Sequence, residues 1–138
     1  MTILFLVGAL APLTGRGDVA QLTVEWGTDK ETYAPGGRVR IHLALVNTGA
    51  RPVTLTLPDS CGFRFLVKDA NGTPVGPEVL ACAQVLVEVD FAPFERKVYA
   101  LFWDHANFTG SPVPPGVYTV IFAYPSLTRE VQITLRPQ

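Results

Sequence analysis

The chain has 138 residues, a length that suits one domain and allows a substantial hydrophobic core. Its 11 basic and 12 acidic residues give a net charge of −1, so no basic face is expected to attract phosphate groups. This balance excludes nucleic acid as an expected partner. Hydrophobic residues make up 48% of the chain and charged residues only 17%, a composition that suits a sheet protein with polar loops.

An apolar run without charged residues opens the chain at residues 1–13. It is too short for a confident transmembrane helix, but its length suits the apolar region of a signal peptide. No Lys or Arg precedes it and no clean cleavage site follows, so an N-terminal β-strand is the alternative. We expect residues 1–20 to be a signal peptide or its remnant and residues 21–138 to be the folded domain. The mature chain is then expected to have no integral membrane span.

The location of the protein depends on this segment. A signal peptide predicts an extracytoplasmic protein that is periplasmic, envelope-associated or secreted. If the segment is not a signal, the protein is expected in the cytoplasm.

From residue 21 onward, apolar and polar residues alternate in short runs separated by Pro, Gly and Asn, as in half-buried β-strands. The runs are centred on the apolar positions Leu22, Val24 and Trp26; Val39, Ile41, Leu43 and Leu45; Val53, Leu55 and Leu57; Phe63, Phe65 and Val67; Val85, Val87 and Val89; Lys97–Trp103; Tyr118, Val120, Phe122 and Tyr124; and Val131, Ile133 and Leu135. About eight short strands without a helical stretch predict an all-β fold, an immunoglobulin-like antiparallel β-sandwich.

The stretch Pro114–Tyr118 places a Tyr directly after a Gly turn at the start of a late predicted strand. This arrangement is typical of a tyrosine corner, in which the hydroxyl binds the backbone of the preceding connection. The alternative is that Tyr118 only packs on a sheet face.

Two cysteines, Cys61 and Cys82, each follow a turn signal and precede a predicted strand. An exported protein would favour their oxidation, so we expect a disulfide between them. The alternative is a pair of buried thiols that pack as small apolar side chains.

Four motifs in a set order carry a resemblance to a known family. They are a strand with an Asn-containing turn before another apolar strand (Leu43–Asn47, then Val53–Leu57), an aromatic strand leading to Asp-x-x-Gly (Phe63–Asp69, Gly72), a Glu-led strand ending in Trp (Glu95–Trp103) and a Pro-Gly-x-Tyr strand start (Pro115–Tyr118). Over residues 33–124 the chain resembles the BsuPI family, named for an intracellular proteinase inhibitor of a bacillus. It departs from the family pattern at Ala92–Glu95, where members usually carry Pro-Gly-Glu. The resemblance implies an immunoglobulin-like fold and proteinase inhibition.

Residues that could form a catalytic or metal site are few. His42, on the polar side of a predicted strand, and His105, beside Asp104 in a loop, lack companion ligands at the spacing of metal sites. We expect both to be surface imidazoles. We therefore expect no enzymatic activity, no metal and no bound cofactor.

Exposed loops are expected to carry the binding contacts, and the candidates are the loops at residues 58–62 and 104–115. The second loop, which follows the strand Lys97–Trp103, is the preferred one, because it combines aromatic side chains with stiff prolines. Its candidate contact residues are Trp103, Asp104, His105, Phe108, Pro112 and Pro114. We expect a non-enzymatic protein-binding module of the cell envelope, with a peptidase as the partner that the resemblance implies. The alternative is a structural or accessory immunoglobulin-like domain of an envelope assembly, without inhibitory activity.

Overall fold

The computed structural model describes residues 13–14, 22–78, 81–124 and 127–137. The strands in this part of the chain are β1 (Leu13–Thr14), β2 (Leu22–Thr28), β3 (Thr32–Tyr33), β4 (Val39–Asn47), β5 (Val53–Leu57), β6 (Arg64–Lys68), β7 (Pro74–Gly76), β8 (Val87–Phe91), β9 (Arg96–Trp103), β10 (Gly116–Tyr124) and β11 (Leu127–Leu135). The described residues contain no helix, and so none that is long and apolar enough to cross a membrane. The predicted all-β fold is confirmed.

The strands form two main sheets and a ribbon. The first sheet has the order β1-β2-β4-β9, and the second has the order β3-β11-β10-β6-β7. The ribbon consists of β5 and β8. All pairs are antiparallel except β3 with β11, as expected for an immunoglobulin-like sandwich.

Period-two alternation explains how the core forms between the sheets. In β4, the side chains of Val39, Ile41, Leu43 and Leu45 are buried, while Arg40 on the opposite face is exposed. Aromatic rings then join the two layers. The ring centroids of Trp26 and Phe122 lie 5.7 Å apart, and those of Trp103 and Tyr118 lie 5.8 Å apart. Such pairs contribute beyond their buried area, so they hold the sheets in one relative position.

Two details differ from the sequence pattern. The eighth strand begins at Val87 rather than Val85, whose side chain is exposed at 52%. The two residues of β1 lie within the segment 1–20 and pair with β2. The rest of that segment lies outside the described residues, and the domain boundary after residue 20 stays a prediction.

A buried amide fastens two turns to the end of β4. The Nδ2 group of Asn47 donates to the carbonyl oxygens of Arg51 at 2.7 Å and Ala92 at 3.1 Å. Its Oδ1 accepts from the Gly49 amide at 3.0 Å, and its own backbone amide donates to the Glu95 carbonyl at 2.9 Å. Because Asn47 is fully buried, these bonds satisfy polar groups that water does not reach. One residue therefore fixes both the β4–β5 turn and the β8–β9 turn.

We expect Asn47→Ala to lower the free energy of unfolding by about 2–3 kcal/mol, since it leaves several partly buried groups without a partner. Urea unfolding measures the change. Asn71→Ala, in the exposed turn after β6, is the control and should stay within about 0.5 kcal/mol of the parent protein. Equal effects of the two substitutions would contradict this role for Asn47.

Candidate functional site

The predicted binding loop starts inside the fold. Trp103 is 1% exposed, and its Nε1 donates to the Ala106 carbonyl at 2.9 Å. His105 is 8% exposed, and the centroid of its ring lies 5.5 Å from that of Trp103. The expectation that His105 is a surface imidazole is therefore wrong. Of the six predicted contact residues, Trp103 and His105 anchor the loop, and the other four are exposed: Asp104, Phe108, Pro112 and Pro114.

The far end of the loop is also tied down. The Tyr118 hydroxyl donates to the Pro114 carbonyl at 2.5 Å, so the predicted tyrosine corner is confirmed. Between the two anchors the loop pairs with itself, because the Val113 amide donates to the His105 carbonyl at 2.8 Å. The loop is thus a closed hairpin with both ends attached to the core.

The tip of the loop, residues 107–111, has its own hydrogen bonds. The Asn107 side-chain oxygen accepts from the amides of Thr109 and Ser111, each at 2.9 Å. The Asn107 amide donates to the Ser111 carbonyl at 2.7 Å, and Gly110 takes the positive φ of 86° that closes the turn. Phe108 projects from this turn and is 39% exposed. The tip therefore presents an aromatic side chain on an ordered backbone.

Strand β7 supports the base of the loop at a point of very close backbone approach. A Cβ atom at Gly76 would lie 2.5 Å from the Ala106 carbonyl oxygen, closer than real side chains come. Only glycine leaves room for this contact. The contact links the loop to the segment that continues into Pro77 and Glu78.

An apolar groove of about 430 Å³ lies beside the loop, on the side of the sandwich where β9 and β6 are neighbouring strands of different sheets. Its lining is mostly aliphatic and aromatic, with one Arg and one Glu. The lining residues are Cys61, Phe63, Arg64, Phe65, Leu66, Pro77, Glu78, Cys82, Leu101, Phe102 and Phe108. Such a surface can receive an apolar side chain of another molecule.

The two cysteines line the same groove. Their Cα atoms lie 5.5 Å apart with the sulfur atoms in bonding position, which is within the usual range for a disulfide. Asp59 accepts from the Cys61 amide at 3.0 Å, and its carboxylate is paired with Arg64. The hydrogen bond from Arg64 holds the pKa of Asp59 below its usual value. Arg64 also donates toward the Cys82 sulfur at 3.4 Å.

The ligand-type atoms of Asp59, Cys61 and Cys82 all lie within 4.8 Å of one another. The Arg64 guanidinium already pairs with the carboxylate, and the two sulfur atoms face each other. A cation would have to compete with this arginine for the carboxylate. We therefore do not assign a metal site to this cluster.

The sequence indicates the loop residue, the cysteines and the strands of this site individually, but it does not indicate that they line a common groove. Phe108 was predicted from the loop, and the cysteines were predicted from their turn signals. The apolar alternation of β6 and β9 predicts strands, but it does not say that Leu66 and Leu101 line one groove. That information depends on which sheet edges become neighbours in space.

The fold is an immunoglobulin-like β-sandwich, and an apolar groove lies beside its ordered loop. A family model described as BsuPI, intracellular proteinase inhibitor, matches residues 26–126. The chain belongs to this family. No curated protein matches the chain.

Solved structures support the fold alone. A β-glucosidase from Listeria innocua in complex with isofagomine matches 83% of this chain at 10% identity, with a TM-score of 0.56. A β-glucosidase from Erythrobacter marinus matches 83% at 17% identity, with a TM-score of 0.53. The alkylpurine DNA glycosylase AlkC of Pseudomonas fluorescens, bound to DNA, matches 83% at 12% identity, with a TM-score of 0.52. This chain spans only 16% of each of those two glucosidases and 30% of the glycosylase, whose activities belong to those proteins.

The family corrects the predicted location. The expectation of a periplasmic, envelope-associated or secreted protein is wrong, because the family is described as an intracellular proteinase inhibitor. The prediction rested on the apolar segment 1–13, most of which lies outside the described residues.

The disulfide prediction loses its argument from an oxidising compartment and now rests on the proximity of the two cysteines.

We expect the Cys61–Cys82 bond to form in protein purified without reductant. The bond closes a loop with a sequence separation of 21, so its reduction should lower the free energy of unfolding by about 3 kcal/mol in the chain-entropy model. Intact mass before and after reduction detects the bond, and urea unfolding measures its contribution. The double variant Cys61→Ser/Cys82→Ser should not respond to reductant. Alkylation of both thiols in unfolded, unreduced protein would rule the bond out.

Burial of His105 predicts a loss of stability in mild acid. Desolvation lowers the pKa of this imidazole, so the folded state favours the neutral form. Below about pH 6.5 the unfolded chain binds a proton that the folded chain does not, so stability is complete above that pH and declines as the pH falls towards the folded pKa. His42 adds to this effect, since burial and then Arg40 lower its pKa as well.

Urea unfolding between about pH 7.5 and 5.5 measures this slope. His105→Asn, which tolerates the positive φ of 68° at this position, should flatten it. His42→Asn, at the half-buried position in β4, should remove only the part due to His42. An unchanged slope in His105→Asn would contradict the assignment.

Proposed function

We propose that this protein is a non-enzymatic inhibitor that binds a peptidase through the tip of the loop and the adjoining groove. The single observation that carries the proposal is the position of Phe108. This aromatic side chain lines the groove on one side and, on the other, a shallow depression formed with Val75 and Pro112–Pro114. Membership of a family described as a proteinase inhibitor supports a peptidase as the partner.

The composition of this surface suits a protein interface. Exposed aromatic side chains dominate the energy of many interfaces, especially where apolar surface surrounds them. Phe108 is the exposed aromatic side chain of the tip, and the groove beside it is lined by the apolar residues Phe65, Leu66 and Leu101. A partner side chain that enters the groove would contact both the loop and the strands β6 and β9.

The ordered backbone of the loop lowers the cost of binding. The tip is closed by the hydrogen bonds of Asn107, and the ends are anchored by Trp103 and Tyr118. A loop that is already ordered loses little conformational entropy when it binds. Inhibitors of peptidases typically keep their free conformation in the complex. We therefore expect tight binding with little change in the backbone of this loop.

An accessory role without inhibitory activity is the alternative. It predicts that the exposed tip has no effect on any peptidase. The resemblance to segments of larger enzymes, at 9–17% identity, shows only that this sandwich also occurs within longer chains. Direct inhibition assays separate the two functions.

We expect the purified protein to inhibit at least one member of a panel of intracellular peptidases and to remain uncleaved. Phe108→Ala should raise the inhibition constant at least tenfold, which corresponds to about 1.4 kcal/mol, without a change in melting temperature. Phe94→Ala is the matched control, since Phe94 is 68% exposed in the turn at the opposite end of β9. Peptidase activity in the presence of each variant gives the constants, and intact mass tests cleavage.

Two results would contradict the proposal. Absence of inhibition across the panel by correctly folded protein would favour the accessory role. Equal weakening by Phe108→Ala and Phe94→Ala would show that inhibition does not depend on the loop tip.

A further inference from the structure

Among the described residues, strand β9 forms a long edge of the first sheet. In the part of the chain that the structure describes, β9 pairs on one side with β4, through an unbroken register from Arg96 to Trp103. Natural edge strands are usually short, bulged, or interrupted by Pro or charged residues, because a free edge recruits other strands. In β9 the charges end at Lys97, and the following residues 98–103 carry neither charge nor Pro.

The outward side chains of β9 are also apolar. Val98, Ala100 and Phe102 alternate along the strand on the outer face of the first sheet. Val98 is 53% exposed and Phe102 is 44% exposed. The Arg38 guanidinium lies over the Phe102 ring, 4.2 Å from its centroid, and covers only part of it. A partner that adds a strand to β9 would cover both the free backbone groups and this apolar row.

The charges that flank this row point to the partner. We propose that β9 pairs antiparallel with β9 of a second copy of this chain, about a two-fold axis at Ala100. In this register Val98 lies opposite Phe102 of the other copy, and Arg96 lies opposite its Asp104. Apolar pairs and pairs of opposite charge are the cross-strand pairs that stabilise a sheet. The two-fold symmetry forms each of these pairs twice.

Neighbouring registers lack this match. An axis at Tyr99 places Arg96 opposite Phe102 and leaves Asp104 opposite Phe94. An axis at Leu101 places the Asp104 carboxylate opposite Val98. On the outer face of the sheet, both of these registers put a charge against an apolar side chain, which costs free energy when water is excluded, whereas the axis at Ala100 does not. Charge complementarity therefore selects the axis at Ala100.

Both charged groups are accessible for this pairing. The Arg96 side chain is 55% exposed, and it forms an ion pair with Glu25 at 3.7 Å. An exposed ion pair at this distance contributes little free energy, so Arg96 can give it up for a new pair with Asp104 at little cost. Asp104 is exposed immediately after β9. The dimer requires neither residue to leave a buried position.

Sedimentation equilibrium of the full chain at increasing concentration tests the dimer. The parent protein should associate reversibly to a dimer. Arg96→Asp and Asp104→Arg should each raise the dissociation constant at least tenfold, because each places like charges opposite each other twice. The double variant Arg96→Asp/Asp104→Arg should restore association. Arg136→Asp, an exposed charge reversal after β11, is the control and should leave it unchanged.

Circular dichroism checks that each variant is folded. A monomer at all concentrations would overturn the proposal, as would a dimer that neither reversal weakens or that the double variant fails to restore. A monomeric parent protein whose Arg96→Asp and Asp104→Arg variants lose peptidase binding would assign the edge to a strand of the peptidase. That result would also overturn the pairing of two copies.

Discussion

The buried amide of Asn47 is the constraint on which the arrangement of the strands depends. The ribbon β5–β8 leaves the first sheet at the end of β4 and returns to it at the start of β9. Asn47 lies where both connections meet, and it binds backbone groups from each. An amide offers two donors and an acceptor in fixed geometry, so a single residue can serve turns that lie more than forty positions apart in the sequence. Because these bonds fix the turn directly before β9, they also fix where β9 and the loop that follows it begin.

The sequence predicts those features that depend on neighbouring residues. Alternation in Val39–Leu45 predicts a strand buried on one face, and Pro114–Tyr118 predicts the tyrosine corner; both are present. Features that depend on distant residues were not predictable in this way. His105 looks exposed in the sequence because it follows the charged Asp104 in a loop, but it packs against the rings of Trp103 and Tyr33. A loop residue is buried when the fold places aromatic side chains beside it, and local periodicity does not contain that information.

In the candidate site, too, neighbouring residues predict some features, while others depend on residues that are distant in the sequence. The turn signals before Cys61 and Cys82 predict a pair, but only the path of the chain between them brings the two Cα atoms to 5.5 Å. The groove exists because β6 and β9, which belong to different sheets, both contribute to its lining and because Phe108 of the loop adds to that lining. Groove and free edge share the residue Phe102. A second copy on β9 would therefore lie close to one wall of the groove, so self-association and peptidase binding are expected to influence each other.

The self-contained tip of the loop has a consequence for how this fold can vary. The hydrogen bonds at Asn107 close within residues 107–111, and the anchors at Trp103, His105 and Tyr118 lie outside that stretch. A substitution at Phe108 or Thr109 therefore changes the side chains exposed at the loop tip without changing the contacts that anchor the loop to the core. Related proteins with this architecture could acquire new targets by exchanging a few tip residues, much as antibody domains diversify their loops on a constant framework. The same property makes the tip a suitable position for grafting foreign recognition sequences.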